Sequence, residues 1–355
     1  DGLITGGDIA PDAKRVAFGA RGDIFTVPAE KGNIRNLTAT PGIREREPSW
    51  SPDGKYVAYL SDQTGEYEIW LAQSDGKGEP KQLTTGSKTY KMGLTWSPDS
   101  KHLALSDAAL NLWLVDAESG KLTHIDQSVS DEIRNPSWSP QSGWLAYSKA
   151  EENGFHSIFL YNVDQGKVHR VTSDFTIDTA PCFDDEGKYL FFASAQHFQP
   201  TLGGFDLKPI WANQDGLYLV TLRNDVENPF PPESDEVEIE EEDEEKADDK
   251  KKGKDAKDED DEDGDDKEKD EDQKPIEIDL KGIADRMVVL DVDPGNYFNL
   301  AYRKGKLFYV SRPFTPGGGR GNQRANSSIK MYNLEDREEE TVLEGAGGFA
   351  LSKDC

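Results

Sequence analysis

A short motif that returns at a nearly constant interval constrains this chain more than any other feature. Trp50-Ser51-Pro52-Asp53-Gly54-Lys55 recurs as Trp96-Ser97-Pro98-Asp99-Ser100-Lys101 and as Trp138-Ser139-Pro140-Gln141-Ser142-Gly143. Ile9-Ala10-Pro11-Asp12-Ala13-Lys14 and Phe183-Asp184-Asp185-Glu186-Gly187-Lys188 are weaker copies. The copies open at residues 9, 50, 96, 138 and 183, so the intervals are 41, 46, 42 and 45. That period belongs to the four-stranded blades of a β-propeller. One such sheet cannot bury its own apolar residues. Sheets packed face to face around an axis can.

Each copy carries the same internal grammar. A first strand ends on the large apolar residue, and the Ser-Pro-Asp-Gly turn follows: Pro presets φ, Asp bonds back to the backbone and Gly accepts a positive φ. Tyr56-Val57-Ala58-Tyr59-Leu60 reads as the second strand, Glu68-Ile69-Trp70-Leu71 as the third and Lys81-Gln82-Leu83-Thr84 as the outer one. Leu112–Val115 and Ile158–Tyr161 are third strands of the next two copies, and Val171-Thr172 is an outer strand. The fifth copy has Tyr189–Ser194 and Leu217–Thr221, an insertion at 196–215 between them, and Pro275–Asp279 as its expected outer strand. A sixth blade fits 299–301, 307–310, 329–332 and 340–343, and 348–354 resembles the opening of a seventh. The expected fold is therefore all-β, a propeller of about seven four-stranded blades with the last one truncated, in a single domain over 1–355. The seven tryptophans are expected between blades.

Charge narrows the function. The net charge is −28, yet residues 233–274 hold 25 acidic and 9 basic side chains, a net of −16, so the remainder carries −12. This low-complexity segment is expected to loop out as a disordered excursion. No basic face points to nucleic acid, and no apolar run reaches the roughly 18 residues of a membrane span. Cys182 and Cys355 are too few for a disulfide framework and fit no zinc spacing. There is no Gly-x-Ser-x-Gly nucleophile elbow. The five histidines show no i, i+4 pairing and read as surface residues, and Pro316–Gly321 lies between strands with no helix to cradle phosphate. No catalytic, metal or cofactor residue is assigned. The chain opens on Asp1 without Met and stops inside a repeat, so both ends read as cut.

The repeat alone is shared with TolB-like proteins and with the propellers of prolyl oligopeptidases. Other blocks are more specific. Arg21–Phe25, Val27-Pro28, Arg35–Thr38 and Thr64–Trp70, then 275–286 and Val292–Tyr297, resemble in order and spacing the second propeller of tricorn-type serine peptidases. The resemblance covers essentially the whole chain. It implies a substrate-access propeller of an enzyme that degrades oligopeptides. It also implies PDZ-like and catalytic domains further along the parent chain, assembly as a hexamer, and a cytoplasmic location. A periplasmic location stays open, because a leader would precede this sequence. None of that family's catalytic residues can be carried onto this chain. Two alternatives remain at this level: a TolB-like propeller that binds proteins without catalysis, and the propeller of a prolyl-oligopeptidase-like enzyme.

Propeller function sits at the axial channel or on a face loop. Counting four residues back from each anchor gives Thr5, Arg46, Met92, Arg134 and Thr179, and five back gives Ile4, Glu45, Lys91, Ile133 and Asp178. Arg46, Lys91 and Arg134 are the expected substrate-channel residues, a basic arc at one mouth that attracts peptide carboxylates.

Overall fold

The computed structural model describes residues 3–198, 200–202, 209–231, 276–314 and 327–352. The acidic segment 233–274, the Gly-rich stretch 316–321 and Cys355 lie outside them.

The described residues form six four-stranded antiparallel sheets in chain order. Blade 1 is β1 (Ile4–Ile9), β2 (Arg15–Ala20), β3 (Asp23–Pro28) and β4 (Arg35–Asn36). Blade 2 is β5 (Glu45–Trp50), β6 (Tyr56–Ser61), β7 (Glu68–Gln73) and β8 (Lys81–Gln82). Blade 3 is β9 (Lys91–Trp96), β10 (His102–Asp107), β11 (Asn111–Asp116) and β12 (Leu122–Gln127). Blade 4 is β13 (Arg134–Trp138), β14 (Trp144–Ala150), β15 (His156–Asn162) and β16 (Lys167–Arg170). Blade 5 is β17 (Asp178–Phe183), β18 (Tyr189–Ala195), β21 (Asp215–Thr221) and β22 (Met287–Val289), with a small hairpin, β19 (Thr201–Leu202) and β20 (Pro209–Ile210), inserted between its second and third strands. Blade 6 is β23 (Tyr297–Arg303), β24 (Lys306–Ser311), β25 (Ser328–Asn333) and β26 (Glu338–Glu344). Residues 346–352 form no strand, although Asn299 Nδ2 holds Phe349 O at 3.1 Å.

The Ser-Pro-Asp turn works as the sequence suggests. Ser51 Oγ donates to Asp53 Oδ1 at 2.6 Å and accepts from Tyr56 N at 2.9 Å, and Ser97 does the same with Asp99 and His102. Neighbouring turns are also tied together. Asp53 N donates to Ser100 Oγ (3.0 Å) and Asp99 N to Ser142 Oγ (3.1 Å). Ser100 and Ser142 occupy the corner that Gly54 fills in blade 2, at φ of 60° and 61° against 74° for Gly54. A non-glycine residue is strained there, and its hydroxyl compensates by bonding the blade before.

Blade-to-blade packing forms the core. Trp50, Trp96, Trp138 and Trp144 are buried, while Trp70 and Trp113 pack in part against the core. Trp211 departs from the expectation: it is half exposed, on the hairpin inserted in blade 5.

Two outer strands are corrected. In blade 4 the outer strand is Lys167–Arg170, just before Val171-Thr172. Val171 is buried against blade 5, and Thr172 Oγ1 accepts from Ile158 N. In blade 5, residues 276–280 are not a strand. Their alternating apolar residues fill the seam between blades 4 and 5, where Ile276 is buried among Trp144, Phe183 and Val220, and Trp144 Nε1 donates to Ile276 O at 3.1 Å. A 3-10 turn at Ile283–Arg286 reverses the chain before β22 pairs with β21. Arg286 fixes this detour by donating to Thr221 O (2.9 Å) and Asn224 Oδ1 (2.9 Å).

Candidate functional site: the axial channel

The inner strands β1, β5, β9, β13, β17 and β23 follow one another around the molecule and run in one direction. Neighbours touch at both ends: Arg46 donates to Lys91 O at the start of their strands, and Trp96 Nε1 and Trp138 Nε1 reach Ser49 O and Thr95 O of the preceding blade near the end. One face of the molecule therefore gathers the inner-strand starts with the long connections. The other gathers the Ser-Pro turns.

Every inner strand is bulged at the same place. The register with the second strand slips between Thr5 and Gly7, Arg46 and Ser49, Met92 and Thr95, Arg134 and Ser137, Thr179 and Cys182, and Phe298 and Ala301. Each slip holds a residue with positive φ: Gly6 (61°), Glu47 (52°), Gly93 (73°), Asn135 (53°), Ala180 (53°) and Asn299 (54°). Pro48, Pro136 and Pro181 follow three of them directly. Proline brings no N–H to leave unbonded where the ladder is broken. Bulges bend a strand and re-aim its side chains, and they concentrate beside functional sites. The bulges of blades 1–4 line a cavity of about 770 Å³ whose walls include Gly6, Asp8, Glu47, Gly93, Arg134 and Asn135.

The polar groups of this wall are organised. Glu47 Oε2 accepts from Gly93 N at 2.8 Å, closing the gap in the next blade's ladder. Asp8 accepts from Trp50 N at 2.7 Å and Ile9 N at 2.9 Å. Burial pushes the Asp8 carboxyl above its ordinary range, and these hydrogen bonds pull against that rise.

The three expected channel cations stand at the starts of their strands, but they do not share one environment. Arg46 lies over the Tyr90 ring (4.0 Å) and beside Tyr67 (5.0 Å), and its guanidinium bonds Glu47. Lys91 is 5% exposed, with Nζ 3.2 Å from both Glu68 Oε2 and Tyr67 O. Glu68 also accepts from the Thr84 hydroxyl and Ser87 N, so the buried pair is fully bonded. Arg134 is half exposed, 3.1 Å from Asp131 and 4.0 Å from Glu132, and it alone of the three lines the cavity.

Sequence reasoning missed the bulge residues. Their signal is positional: in each blade the strained residue stands three places before the anchor, and Pro follows it in blades 2, 4 and 5.

A β-propeller whose bulged inner strands line a cavity in blades 1–4 is the class of protein that this fold defines. Residues 4–355 match the family model described as the tricorn protease second beta propeller domain, and the chain belongs to that family. It is 27% identical over 98% of its length to tricorn protease homolog 1 of Streptomyces coelicolor, covering 32% of that protein. It is 26% identical over 96% of its length to the tricorn protease homolog of Saccharolobus solfataricus, covering 28% of it. The crystal structure of the tricorn protease superposes with a TM-score of 0.75 at 19% identity, over 99% of this chain and 32% of that one. The chain thus spans about a third of the length of these curated relatives.

Proposed function

We propose that this chain is the substrate-access propeller of a tricorn-like serine peptidase that degrades oligopeptides. The observation that carries the reading is the cavity lined by the bulged inner strands of blades 1–4, in a chain whose family is named for a protease propeller. An extended peptide fits such a passage. Its N–H groups meet carbonyls freed from the ladder and the carboxylates of Asp8, Glu47 and Glu132, while Arg134 is available to its carboxyl terminus. Catalysis then belongs to other domains of the parent protein, with PDZ-like and catalytic regions as partners. The proposal includes a cytoplasmic location and a homo-oligomer, hexameric by the same resemblance.

Arg134→Ala in the parent enzyme tests the channel directly. The apparent KM for peptides with free carboxyl termini rises several-fold and returns towards wild type when the carboxyl is amidated. An unchanged KM for both peptides would remove Arg134 from the passage.

A further inference from the structure

Exposed aromatic side chains are distributed unequally between the two faces. Tyr90, Phe155, Phe175, Phe198, Trp211 and Phe314 all lie in connections on the face where the inner strands begin, whereas among the described residues Tyr56 is the one exposed aromatic near the Ser-Pro turns. Three of them are the most open: 80% for Phe175, 68% for Phe198 and 51% for Trp211. Six exposed aromatics stand at one end of the molecule against one at the other, and a contact surface is sought where they come together.

The strongest part of this rim is an added element. Connections between second and third strands run from two to six residues in blades 1–4, but blade 5 spends residues 196–214 there. The described part of that insertion sets the Phe198 and Trp211 rings edge to face, with centroids 5.7 Å apart and planes at 83°. Its base is fixed. His197 N donates to Gln214 O at 3.0 Å, and Asn213, at φ 50°, accepts from Asn296 Nδ2 (3.0 Å) and Phe314 N (3.3 Å). Phe314 is thereby brought to the same base from blade 6. Aromatic groups held in place before binding lose little freedom when a partner arrives.

We propose that this aromatic rim captures extended peptide segments bearing large apolar side chains and feeds them to the axial cavity. The inference rests on the substrate-access reading above and adds the class of peptide selected. Continuity favours a peptide: the rim stands on the face where β1, β5, β9 and β13, the strands that line the cavity of about 770 Å³, begin, and an extended chain can reach from one to the other where a folded partner cannot. Charge agrees as well, since Asp8, Glu47 and Glu132 on the cavity wall suit the amino terminus of an incoming chain.

The test uses the 355-residue chain and two fluorescein-labelled, unstructured nonapeptides of equal charge with free amino termini. One carries three Phe or Leu residues and the other carries Ser in their place. Fluorescence anisotropy is expected to show the apolar peptide binding at least tenfold more tightly. Trp211→Ala and Phe198→Ala each lower that affinity about tenfold, while Ile34→Ser, near the turn face, leaves it unchanged. Equal binding of the two peptides, unaffected by Trp211→Ala, overturns the inference and leaves the access reading standing. Binding of neither peptide overturns both. Sedimentation of the same samples covers another occupant: a dimer that Trp211→Ala converts to monomer makes the rim a contact between copies and refutes peptide capture.

Discussion

Blades 2–4 and blades 5–6 solve one packing problem with different chemistry. In blades 2–4 a neutral serine hydroxyl at the turn organises the corner, and another at the next turn bonds it to its neighbour. In blade 5 the serine position is Asp184, whose Oδ1 accepts from Lys188 N (2.8 Å) and Tyr189 N (2.9 Å). The tie to blade 6 is also ionic: Asp185 receives Arg303 Nη1 and Lys304 N, both at 2.7 Å. The regular blades are joined by short hydroxyl bonds that repeat. The irregular blades replace those hydroxyls with carboxylates at the turn and add long excursions, and the exposed aromatic hairpin grows there. Regular repeats line the cavity, and the departures from them add the exposed aromatic pair.

The largest expected contrast lies between two tryptophans. Trp96→Ala, which opens a cavity between blades 2 and 3, costs about 3–5 kcal/mol in denaturant unfolding, whereas Trp211→Ala stays within about 0.5 kcal/mol. Equal losses would mean that the blade 5 hairpin is part of the core. Arg286→Ala comes next, at about 2 kcal/mol, because several carbonyls lose a charged donor. Hydrogen exchange should localise that loss to blade 5, and uniform loss across all blades would contradict the detour's local role. Ser100→Ala keeps the strained corner and loses the bond to Asp53, costing about 1 kcal/mol, and Ser100→Gly recovers part of it by relieving the backbone. A glycine variant no better than alanine would remove strain from the account.

The subtlest contrast is in pH. Burial raises the Asp184 carboxyl above its ordinary value, against the bonds from the Tyr189, Lys188 and Glu186 amides. A raised carboxyl keeps its proton longer in the folded chain than in the unfolded one. Its contribution to stability is therefore fully present below the unfolded value of 3.8 and is lost as pH rises through the raised one. Asp184→Asn lacks that window, so its Tm relative to wild type should improve as pH rises above 3.8. A constant Tm difference would assign Asp184 an ordinary carboxyl.

The same division decides what could be read from the sequence. Apart from the outer strand of blade 4, blades 1–4 were legible because the turn chemistry is local: Ser-Pro-Asp-Gly states its φ angles and its hydrogen bonds within a few residues. The outer strand of blade 5 was not, because Ile276-Glu277-Ile278-Asp279-Leu280 alternates like a strand while its apolar residues fill a groove made by blade 4, far away in sequence. At the channel, the spacing placed Arg46, Lys91 and Arg134 at the starts of their strands. It was silent on partners, since the charge that neutralises Lys91 stands at Glu68 in the neighbouring blade. The bulges at Glu47 and Ala180 carry no glycine to announce a positive φ. Trp211 shows the converse limit: its residue type argued for the core, and only its place in an insertion argued against it.

The most direct test of the central claim compares two preparations on one fluorogenic oligopeptide library: this 355-residue chain, and the full-length gene product that carries it. The account predicts no hydrolysis by the chain alone and hydrolysis by the full-length protein that a serine-directed inhibitor abolishes. Inhibitor-sensitive hydrolysis by the chain itself, or none by the full-length protein, would contradict it.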